Sequence, residues 1–412
     1  MKSVAPIVVV GGGTAGSTVV SYLAGHTTSE IVLVDPGAFA ETDDVSRFHD
    51  VLATEFSVRH QQVSLTSARS MDYLSSWLMG GGSAVNGLLL TGEVPKHLEG
   101  LTRPSTAADI GTLGKALLVA GGEFTNLWWN RGRWNPGRAV RHLEEEGRIR
   151  IVRGEALSVE WRHGAASGVR TMSEEIAASH VVLCAGAIET PSLLLKSGCQ
   201  SFNAKVGQGL QNHPSVSVPV ARTSPSHARF DAAVVRRIVR GDTSLMMFAF
   251  ERASTIDEMV GLFTVALMSP SSRGTVTQHP DRIAVDFNIL DTPDDRRALI
   301  HGVDELSQLS SACRLSDGVA RVLPMRSGDV LSEFPRMSQP EREEWVANNV
   351  EMLFHASSSC SQAVDNGGRL LGVNGVHIAD ASILSRVPID TPAGPVTMEA
   401  LRIARQLGEE LA

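Results

Sequence analysis

Continuous apolar runs and one amphipathic stretch alternate over the first forty residues. Residues 7–10 (IVVV) and 31–34 (IVLV) are short β-branched runs, and residues 17–23 between them have helical spacing. Apolar runs of this length are typical of strands that are buried on both faces of a parallel sheet. The order of strand, helix and strand therefore predicts a βαβ unit, whose second strand ends at the acidic residue Asp35.

The pattern then becomes polar and irregular over residues 36–75, which predicts a loop region. Farther along, helical spacing and alternating or continuous apolar runs predict further elements up to residue 197. The predicted helices are 112–120, 138–146 and 187–197, and the predicted strands are 148–153, 157–162 and 180–186.

From about residue 216 to residue 288 the period changes to short alternating strands that are separated by turn residues. These strands are 245–250, 262–268 and 283–287, and they predict an antiparallel sheet. Helices are predicted at 294–313 and 341–350, a buried strand at 376–382, and an amphipathic helix at 398–411. We infer an α/β nucleotide domain built from both ends of the chain and interrupted by an antiparallel sheet-and-helix domain.

The segment between the first strand and the first helix contains the pattern G-x-G-x-x-G. Gly11 permits the tight turn, Gly13 allows a backbone to approach a pyrophosphate, and Gly16 lets the helix pack closely on the strand. Asp35, nineteen positions after Gly16, is placed to accept a hydrogen bond from a ribose hydroxyl. The segment predicts a dinucleotide site, but it does not distinguish FAD from NAD.

Charge and cysteine content argue against several kinds of partner and site. The chain has 412 residues and a formal net charge of -8, so it offers no basic surface for nucleic acid as its main partner. Its cysteines lie far apart without a C-x-x-C pair, and we expect neither a metal site nor a disulfide framework; they are Cys184, Cys199, Cys313 and Cys360. No apolar stretch reaches membrane-spanning length and no signal peptide is recognised, so we expect a cytoplasmic protein, with peripheral membrane attachment left open.

Further motifs carry a family resemblance. Residues 81–87 read GGSAVNG, residues 186–198 read GAIETPSLLLKSG, and residues 206–214 read VGQGLQNHP. An S-S-R-G turn follows at residues 271–274, and His355 precedes a block that ends in Asp380, Ala381 and Ser382. In this order, the motifs resemble the glucose–methanol–choline (GMC) family of FAD-dependent oxidoreductases, nearly from end to end.

The resemblance implies a fold with an FAD-binding Rossmann-like domain of the glutathione-reductase type and an antiparallel α+β substrate domain. We expect the FAD-binding domain at 1–215, with flavin-contacting and short lid segments at 76–127, the substrate domain at 216–345, and a return to the FAD-binding domain at 346–412. Val85 stands where some relatives attach FAD through a histidine, so FAD is expected to bind non-covalently. The expected cofactor contacts are Gly11, Gly13, Thr14, Ala15, Gly16, Asp35, Gly81, Gly82, Ser83, Asn86, Gly87, Leu157, Ala185, Gly186, Asp380 and Ala381.

Resemblance also implies that His355 is the base that takes the hydroxyl proton during oxidation of an alcohol. An imidazole suits this task because its pKa lies near neutrality. The family has a second His or Asn about forty residues later, where this chain has Ala393, which has no side-chain donor or acceptor. His355 acting alone, a contribution from Asp390 or His213, a polar contact from the substrate and a shifted alignment all stay open. For Asn212 and His213 themselves we favour a structural turn.

Relatives are longer, and the missing length falls between residues 92 and 128. We expect a shorter lid and a more open pocket, suited to a bulky small-molecule alcohol or completed by a partner protein. Trp128, Trp129 and Trp134 are interpreted as core residues. The electron acceptor, whether oxygen, a quinone or another carrier, is left open. The alternatives to alcohol oxidation are a non-redox or photochemical flavoenzyme (a lyase or decarboxylase) and an inactive FAD-binding protein; an NAD dehydrogenase ranks last.

Overall fold

The computed structural model describes residues 5–39, 42, 44–54, 58–255, 257–313 and 319–411. The strands, in chain order, are β1 (Ile7–Val10), β2 (Ile31–Val34), β3 (Val58–Thr66), β4 (Arg69–Ser76), β5 (Leu89–Leu90), β6 (Arg103–Pro104), β7 (Glu123–Phe124), β8 (Asn126–Leu127), β9 (Arg150–Val152), β10 (Ala156–Arg162), β11 (Ala165–Thr171), β12 (Glu175–Ala177), β13 (His180–Leu183), β14 (Gln208–Leu210), β15 (Pro214–Arg222), β16 (Val234–Arg240), β17 (Thr243–Phe250), β18 (Val260–Leu267), β19 (Gly274–Gln278), β20 (Ile283–Asp286), β21 (Val319–Val322), β22 (Glu351–Met352) and β23 (Val376–Ile378). The α-helices are α1 (Thr14–His26), α2 (Phe48–Leu52), α3 (Gly82–Val85), α4 (Thr112–Val119), α5 (Gly137–Glu145), α6 (Gly186–Lys196), α7 (Pro293–Cys313), α8 (Gln339–Asn349) and α9 (Ala393–Leu411).

A parallel sheet in the order β23-β13-β1-β2-β9 joins the two ends of the chain. Val9 of β1 is in register with Val182 on one side and Leu33 on the other, and all three side chains are buried. Burial on both faces explains why these strands are continuous apolar runs. The predicted βαβ unit is confirmed, and so is the return of a strand from residues 376–378 to the same sheet.

The last helix, α9, packs against α1 on one side of this sheet. Its apolar face repeats at helical spacing and is buried at Ala400, Ile403, Ala404 and Leu407. The helix begins at Ala393, five residues before the predicted start at 398, because the sequence Ala-Gly-Pro is compatible with a first helical turn. Trp128 and Trp129 are buried and Trp134 packs against the same core, as expected.

The prediction of an irregular region at 36–75 is wrong for its second half. β3 and β4 form an antiparallel hairpin that extends a sheet in the order β14-β19-β20-β3-β4. Only one face of this hairpin is apolar, with Val63, Leu65 and Tyr73 buried among polar neighbours, and this weak alternation was missed. Residues 40, 41, 43 and 55–57 of the predicted region lie outside the described residues.

The predicted antiparallel sheet is confirmed for the strands at 245–250 and 262–268, which are β17 and β18 in the order β21-β15-β18-β17-β16-β7. The strand predicted at 283–287 forms as β20, but it pairs with β19 and β3 in the other sheet. Helix α7 packs on β17 and β18, and small residues allow a close approach: a Cβ at Gly302 would lie 3.0 Å from Val265. The predicted helices at 112–120, 138–146, 187–197, 294–313 and 341–350 are confirmed within one or two residues at each end. Our division of the chain at residues 215 and 345 stays a prediction.

Among the described residues, no helix combines the length and apolar character that a membrane crossing requires. Over the same part of the chain, no cluster of three or more His, Cys, Asp or Glu side chains is arranged to hold a metal ion. Cys184, Cys199 and Cys360 are buried free thiols, and the side chain of Cys313 lies outside the described residues.

Candidate functional site

The turn between β1 and α1 presents bare backbone at the amino-terminal end of a helix. Gly11 has φ +97°, and a Cβ there would lie 2.6 Å from the carbonyl oxygen of Cys184. Gly13 is the N-cap residue of α1 and has no side chain to cap the helix, and the first turn has no acidic residue. The N–H groups and the positive end of the helix dipole at Thr14, Ala15 and Gly16 therefore favour an anionic ligand.

A second glycine segment packs directly on this turn. Gly81 has φ +57°, and a Cβ there would lie 2.7 Å from the Cα of Gly13. The Gly80 N–H donates to the Gly12 carbonyl oxygen at 2.8 Å, and the hydroxyls of Thr14 and Ser83 lie 2.8 Å apart. The two segments form a continuous cradle lined by backbone, and an added Cβ at Gly11 or Gly81 would collide with neighbouring backbone. Such a cradle fits a long cofactor that needs close backbone approach, as FAD does.

Asp35 lies at the carboxyl end of β2, beside the same turn. Its carboxylate accepts hydrogen bonds from the Gly12 N–H at 2.5 Å and from the Gly37 N–H at 2.6 Å. Burial raises the pKa of Asp35 above its ordinary value, although both N–H donors oppose the shift. Carboxylate oxygens have further lone pairs, so a ribose hydroxyl can still donate to this group.

Downstream of Gly81, the cradle continues through α3 to Asn86 and Gly87. The Asn86 carbonyl oxygen accepts from Arg133 at 2.6 Å, and Arg133 is fully buried. Burial lowers the pKa of Arg133 to about 10. Gly82 and Gly87 border open space, where an added Cβ would have no neighbour within 4 Å. The predicted contacts 81–87 therefore lie together along one wall.

Asp380 joins the far end of the chain to the start of α6. One carboxylate oxygen accepts from the Gly186 N–H at 2.8 Å and from the Thr190 hydroxyl at 2.6 Å, and the other accepts from the Ser382 N–H at 2.8 Å. Burial raises the pKa of Asp380, and these donors lower it. This network brings the predicted contacts Ala185, Gly186, Asp380 and Ala381 to one edge of the parallel sheet.

His355 and His213 lie side by side. Their Nδ1 atoms are 2.9 Å apart and their rings are perpendicular, with an interplanar angle of 89°. The Nε2 atom of His213 lies 2.8 Å from the carbonyl oxygen of Pro388. His213 is completely buried, whereas His355 is half-buried.

The backbone on both sides of this pair is held by hydrogen bonds. The side-chain oxygen of Asn212 accepts from the N–H groups of both His213, at 2.8 Å, and His355, at 3.1 Å. Gln211 and Ser357 exchange backbone hydrogen bonds at 2.9 and 3.0 Å. The segments 211–213 and 353–357 are therefore locked to each other beyond the pairing of β15 with β22.

The protonation state of both rings follows from their surroundings. Burial lowers the pKa of His213 to about 4, and the carbonyl groups of Pro388 and Met268 and the charge of Asp390 only partly oppose this. Burial also lowers the pKa of His355 well below its ordinary value, and His213 lowers it further. Both rings are neutral at neutral pH.

Asp390, one of our candidates for the second catalytic position beside His355, is already hydrogen-bonded to other residues. Its Oδ1 accepts from Arg237 at 2.7 Å and from the Thr91 hydroxyl at 3.1 Å. Ala393 is the first residue of α9. Leu157, at the start of β10, is exposed over 39% of its surface, and its contact with a cofactor stays a prediction.

Three residues beside His355 are not among the site residues that the sequence predicts. Asn212 and His213 are expected in a structural turn, with His213 also an open alternative at the second position, and their place in the VGQGLQNHP motif is the signal that points to them. Tyr73 had no sequence signal: its hydroxyl accepts from the Ala356 N–H at 3.2 Å, and burial raises its pKa to about 12.

Known proteins are similar to this chain in sequence and in fold. Models for the amino-terminal and carboxy-terminal parts of the GMC oxidoreductases match residues 141–215 and 270–400. The 5-(hydroxymethyl)furfural oxidase of Methylovorus sp. (strain MP688) is 28% identical over 275 residues, which are 56% of this chain and 51% of that protein. The oxygen-dependent choline dehydrogenase of Brucella canis is 22% identical over 335 residues, covering 65% of this chain and 60% of that one. This chain spans about half the length of the curated relatives that it matches.

Among solved structures, pyridoxine 4-oxidase from Mesorbium loti superposes with a TM-score of 0.82 at 17% identity, over 98% of this chain and 99% of the other. A formate oxidase superposes with a TM-score of 0.80 at 16% identity, over 100% and 99% of the two chains. At this level of identity the similarity shows the fold alone. Together with the two matching family models, it shows that this chain belongs to the GMC oxidoreductases, a family of FAD-binding flavoproteins.

Proposed function

We propose that this chain oxidises the hydroxyl-bearing carbon of a small-molecule alcohol, with His355 taking the hydroxyl proton. The role fits a half-buried imidazole that is neutral at neutral pH, because a neutral ring has a lone pair available to accept a proton.

A chain of hydrogen bonds between His355 and the expected cofactor contacts carries this proposal. The Ser358 N–H donates to the Ala381 carbonyl oxygen at 2.9 Å, and the Cys360 N–H donates to the Ser382 carbonyl oxygen at 2.8 Å. Asp380, which directly precedes Ala381, accepts a hydrogen bond from the Gly186 N–H. The loop that carries His355 is thereby fastened to the edge of the sheet where the glycine motifs meet, so a base and an oxidant can act on one substrate.

The cradle residues would hold FAD. Gly11, Gly13 and the start of α1 suit the pyrophosphate, Asp35 suits a ribose, and the wall around Gly81 suits the flavin ring. When bound, FAD supplies the two-electron oxidant by accepting a hydride. Val85 is buried and carries no nucleophilic atom, which supports non-covalent binding.

One partly exposed aromatic side chain, that of Phe354 directly before His355 in the chain, supports an aromatic or bulky alcohol as substrate. Phe354 is exposed over 39% of its surface and packs edge-on against Tyr73, with ring centroids 5.5 Å apart. Exposed aromatic surface next to a base favours stacking with an aromatic or bulky alcohol. Two similar proteins are named for their action on 5-(hydroxymethyl)furfural and pyridoxine, and both compounds belong in a first substrate panel.

Rapid mixing under anaerobic conditions tests the proposal. The FAD-loaded protein is mixed with 5-(hydroxymethyl)furfural, pyridoxine, choline and larger aryl alcohols, and the loss of oxidised-flavin absorbance is followed. We expect at least one alcohol to reduce the flavin, and His355→Gln to slow that step by about 10²- to 10⁴-fold, as for loss of a general base. His279→Gln, at an exposed loop position, is the matched control.

Two results would each count against one part of the proposal. Near-normal flavin reduction in His355→Gln would remove His355 from the role of base. Product formation without any electron acceptor, while the flavin stays oxidised, would instead indicate a lyase or decarboxylase on the same fold.

A further inference from the structure

Two histidine nitrogens at hydrogen-bonding distance must share one proton. The Nδ1 atoms of His213 and His355 are 2.9 Å apart. Two N–H groups facing each other would repel, and two bare lone pairs would leave both atoms unpaired in a buried site. One ring therefore donates from Nδ1 and the other accepts at Nδ1.

Pro388 decides which ring is the donor. Its carbonyl oxygen can only accept, and it lies 2.8 Å from His213 Nε2, so this nitrogen carries a proton. A neutral imidazole has a single N–H. Because burial keeps His213 neutral, its Nδ1 is bare and accepts, and the proton between the rings belongs to His355 Nδ1.

The Nε2 atom of His355 is then left with a free lone pair. We propose that His213 is a positioning residue that holds His355 in the Nδ1–H tautomer and orientation, so that Nε2 receives the proton of the substrate hydroxyl. This inference rests on the proposed function above. His213 cannot touch substrate itself because it is completely buried.

The surroundings make this arrangement rigid. Asn212 accepts from the backbone N–H of both histidines, so neither backbone segment can shift without losing a hydrogen bond. Ala393, at the place where relatives have a second polar side chain, has no donor or acceptor to orient His355. In this chain, the fully buried imidazole of His213 therefore orients His355.

Proton transfer balances within the pair. The substrate O–H bond breaks and an N–H bond forms at His355 Nε2, which makes His355 an imidazolium. The hydride from the same substrate carbon would go to bound FAD, as described above. The proton between the rings can move to His213 Nδ1, but the charge cannot leave the pair through His213 Nε2, because a carbonyl oxygen does not take up a proton at neutral pH. The pair becomes neutral again when His355 Nε2 releases its proton to solvent.

A neutral acceptor distinguishes this pair from a histidine that is oriented by a carboxylate. A carboxylate would stabilise the imidazolium and raise the pKa of His355. Asp390 acts on His213 through its charge, but its carboxylate is paired with Arg237 at 2.7 Å. His355 is therefore held unprotonated and ready to accept.

Three substitutions at position 213 separate the two hydrogen bonds. The side-chain oxygen of asparagine can occupy the place of histidine Nδ1 and accept from His355, whereas the amide nitrogen of glutamine can occupy the place of Nε2 and donate to Pro388. Alanine removes both. We expect His213→Asn to retain flavin reduction within about threefold, and His213→Gln and His213→Ala to lose at least about tenfold.

The tautomer itself is read from ¹⁵N NMR of the FAD-loaded protein labelled at histidine, with His355→Gln identifying the His355 signals. We expect a protonated Nδ1 and a bare Nε2 on His355 in the unmodified protein and in His213→Asn, and a loss of this preference in His213→Gln and His213→Ala. The measurement needs no substrate, and the unmodified protein alone decides it if a variant does not fold.

A bare Nδ1 on His355 in the unmodified protein would overturn the proposal, as would an unchanged tautomer together with an unchanged reduction rate in His213→Ala. If the tautomer is as proposed but no alcohol reduces the flavin, the positioning role stands and the proposed function fails.

Discussion

The carboxylate of Asp380 accepts a hydrogen bond from the backbone N–H of Gly186, 2.8 Å away and 194 positions earlier in the chain. The same oxygen accepts from Thr190, and the carboxylate is almost completely buried. This contact fastens the carboxy-terminal segment, and through it the His355 loop, to the first turn of α6. Loss of the contact is therefore expected to affect both stability and the active site.

Replacing Asp380 tests this connection. Asp380→Ala leaves three donors without this partner, two of them buried, which is expected to lower the free energy of unfolding by about 3 kcal/mol. FAD affinity is expected to fall as well, because Gly186 and Ala381 lose their common support. Urea unfolding and flavin titration measure the two effects, with Asp281→Ala in an exposed loop as the control. An Asp380→Ala protein as stable as the control would show that the contact is dispensable.

The close approach of Gly81 to Gly13 provides a matched pair of substitutions. Gly81→Ala places a Cβ 2.7 Å from the Cα of Gly13 at a positive φ, so backbone must move. We expect a loss of at least about 2 kcal/mol of stability and a rise of at least about tenfold in the Kd for FAD.

Gly82→Ala is the control, because a Cβ there has no neighbour within 4 Å and the residue is helical. Its stability is expected to stay the same or rise slightly. If Gly82 contacts FAD as predicted from the sequence, Gly82→Ala weakens FAD binding without a change in the stability of the flavin-free protein. Equal stability losses for Gly81→Ala and Gly82→Ala would contradict the tight packing of the two glycine segments.

The pH dependence of flavin reduction follows from the state of His355. Burial and the neighbouring His213 lower the pKa of His355 well below the ordinary value of 6.5. A base must be unprotonated to act, so the limiting rate constant for reduction is expected to be flat from about pH 6 to about pH 8 and to decline only in more acidic solution. Anaerobic rapid mixing across this range checks the profile. A rate that rises through a pKa of 6.5 or higher would mean that the base is more exposed or more strongly paired.

Another buried histidine, His377, lies away from the site and is expected to make the free energy of unfolding fall in acid. Burial lowers the pKa of His377, on β23, to about 4, while Glu410, 3.8 Å away, and Asp365 raise it and His180 and Arg369 lower it further. In the unfolded chain the pKa is about 6.5, so the unfolded state takes up the proton first as the pH falls. Stability is therefore lost between about pH 6.5 and about pH 4, by up to the order of 3 kcal/mol from this group.

His377→Gln should remove that part of the pH dependence. Urea unfolding at about pH 7 and about pH 5 measures it, and the difference between the two free energies is expected to be smaller in His377→Gln than in the unmodified protein. His279→Gln, on the exposed loop, should leave the difference unchanged. An undiminished difference in His377→Gln would assign the acid lability to other groups.

Local pattern predicted the strongly buried elements well. β1, β2 and β13 are continuous apolar runs because both of their faces are covered, and such runs differ plainly from loops. The β3–β4 hairpin was missed because only one of its faces packs against the core and its other face carries polar side chains. Half-buried strands of this kind carry too weak an alternation to separate them from a polar loop.

In the candidate site, too, some features could be predicted from the sequence and others could not. The glycine turns could be predicted from sequence because a tight turn or a close approach of two backbones requires glycine, as Gly11 and Gly81 show. The role of Asp390 could not be predicted, since only the packing of β16 against the end of the chain brings Arg237 to its carboxylate.

By itself, the sequence determined the dinucleotide turn, the family and the identity of the candidate base, because each depends on residue types at short, constant spacings. Tertiary structure alone decided which groups surround that base. His213 and Pro388 are separated by 175 positions, and the hydrogen bond between them exists only because the segment between β23 and α9 folds back onto the residue that precedes β15. Spacing along a chain carries no information about such a contact. That contact nevertheless decides which of the two rings, His213 or His355, donates the proton between them.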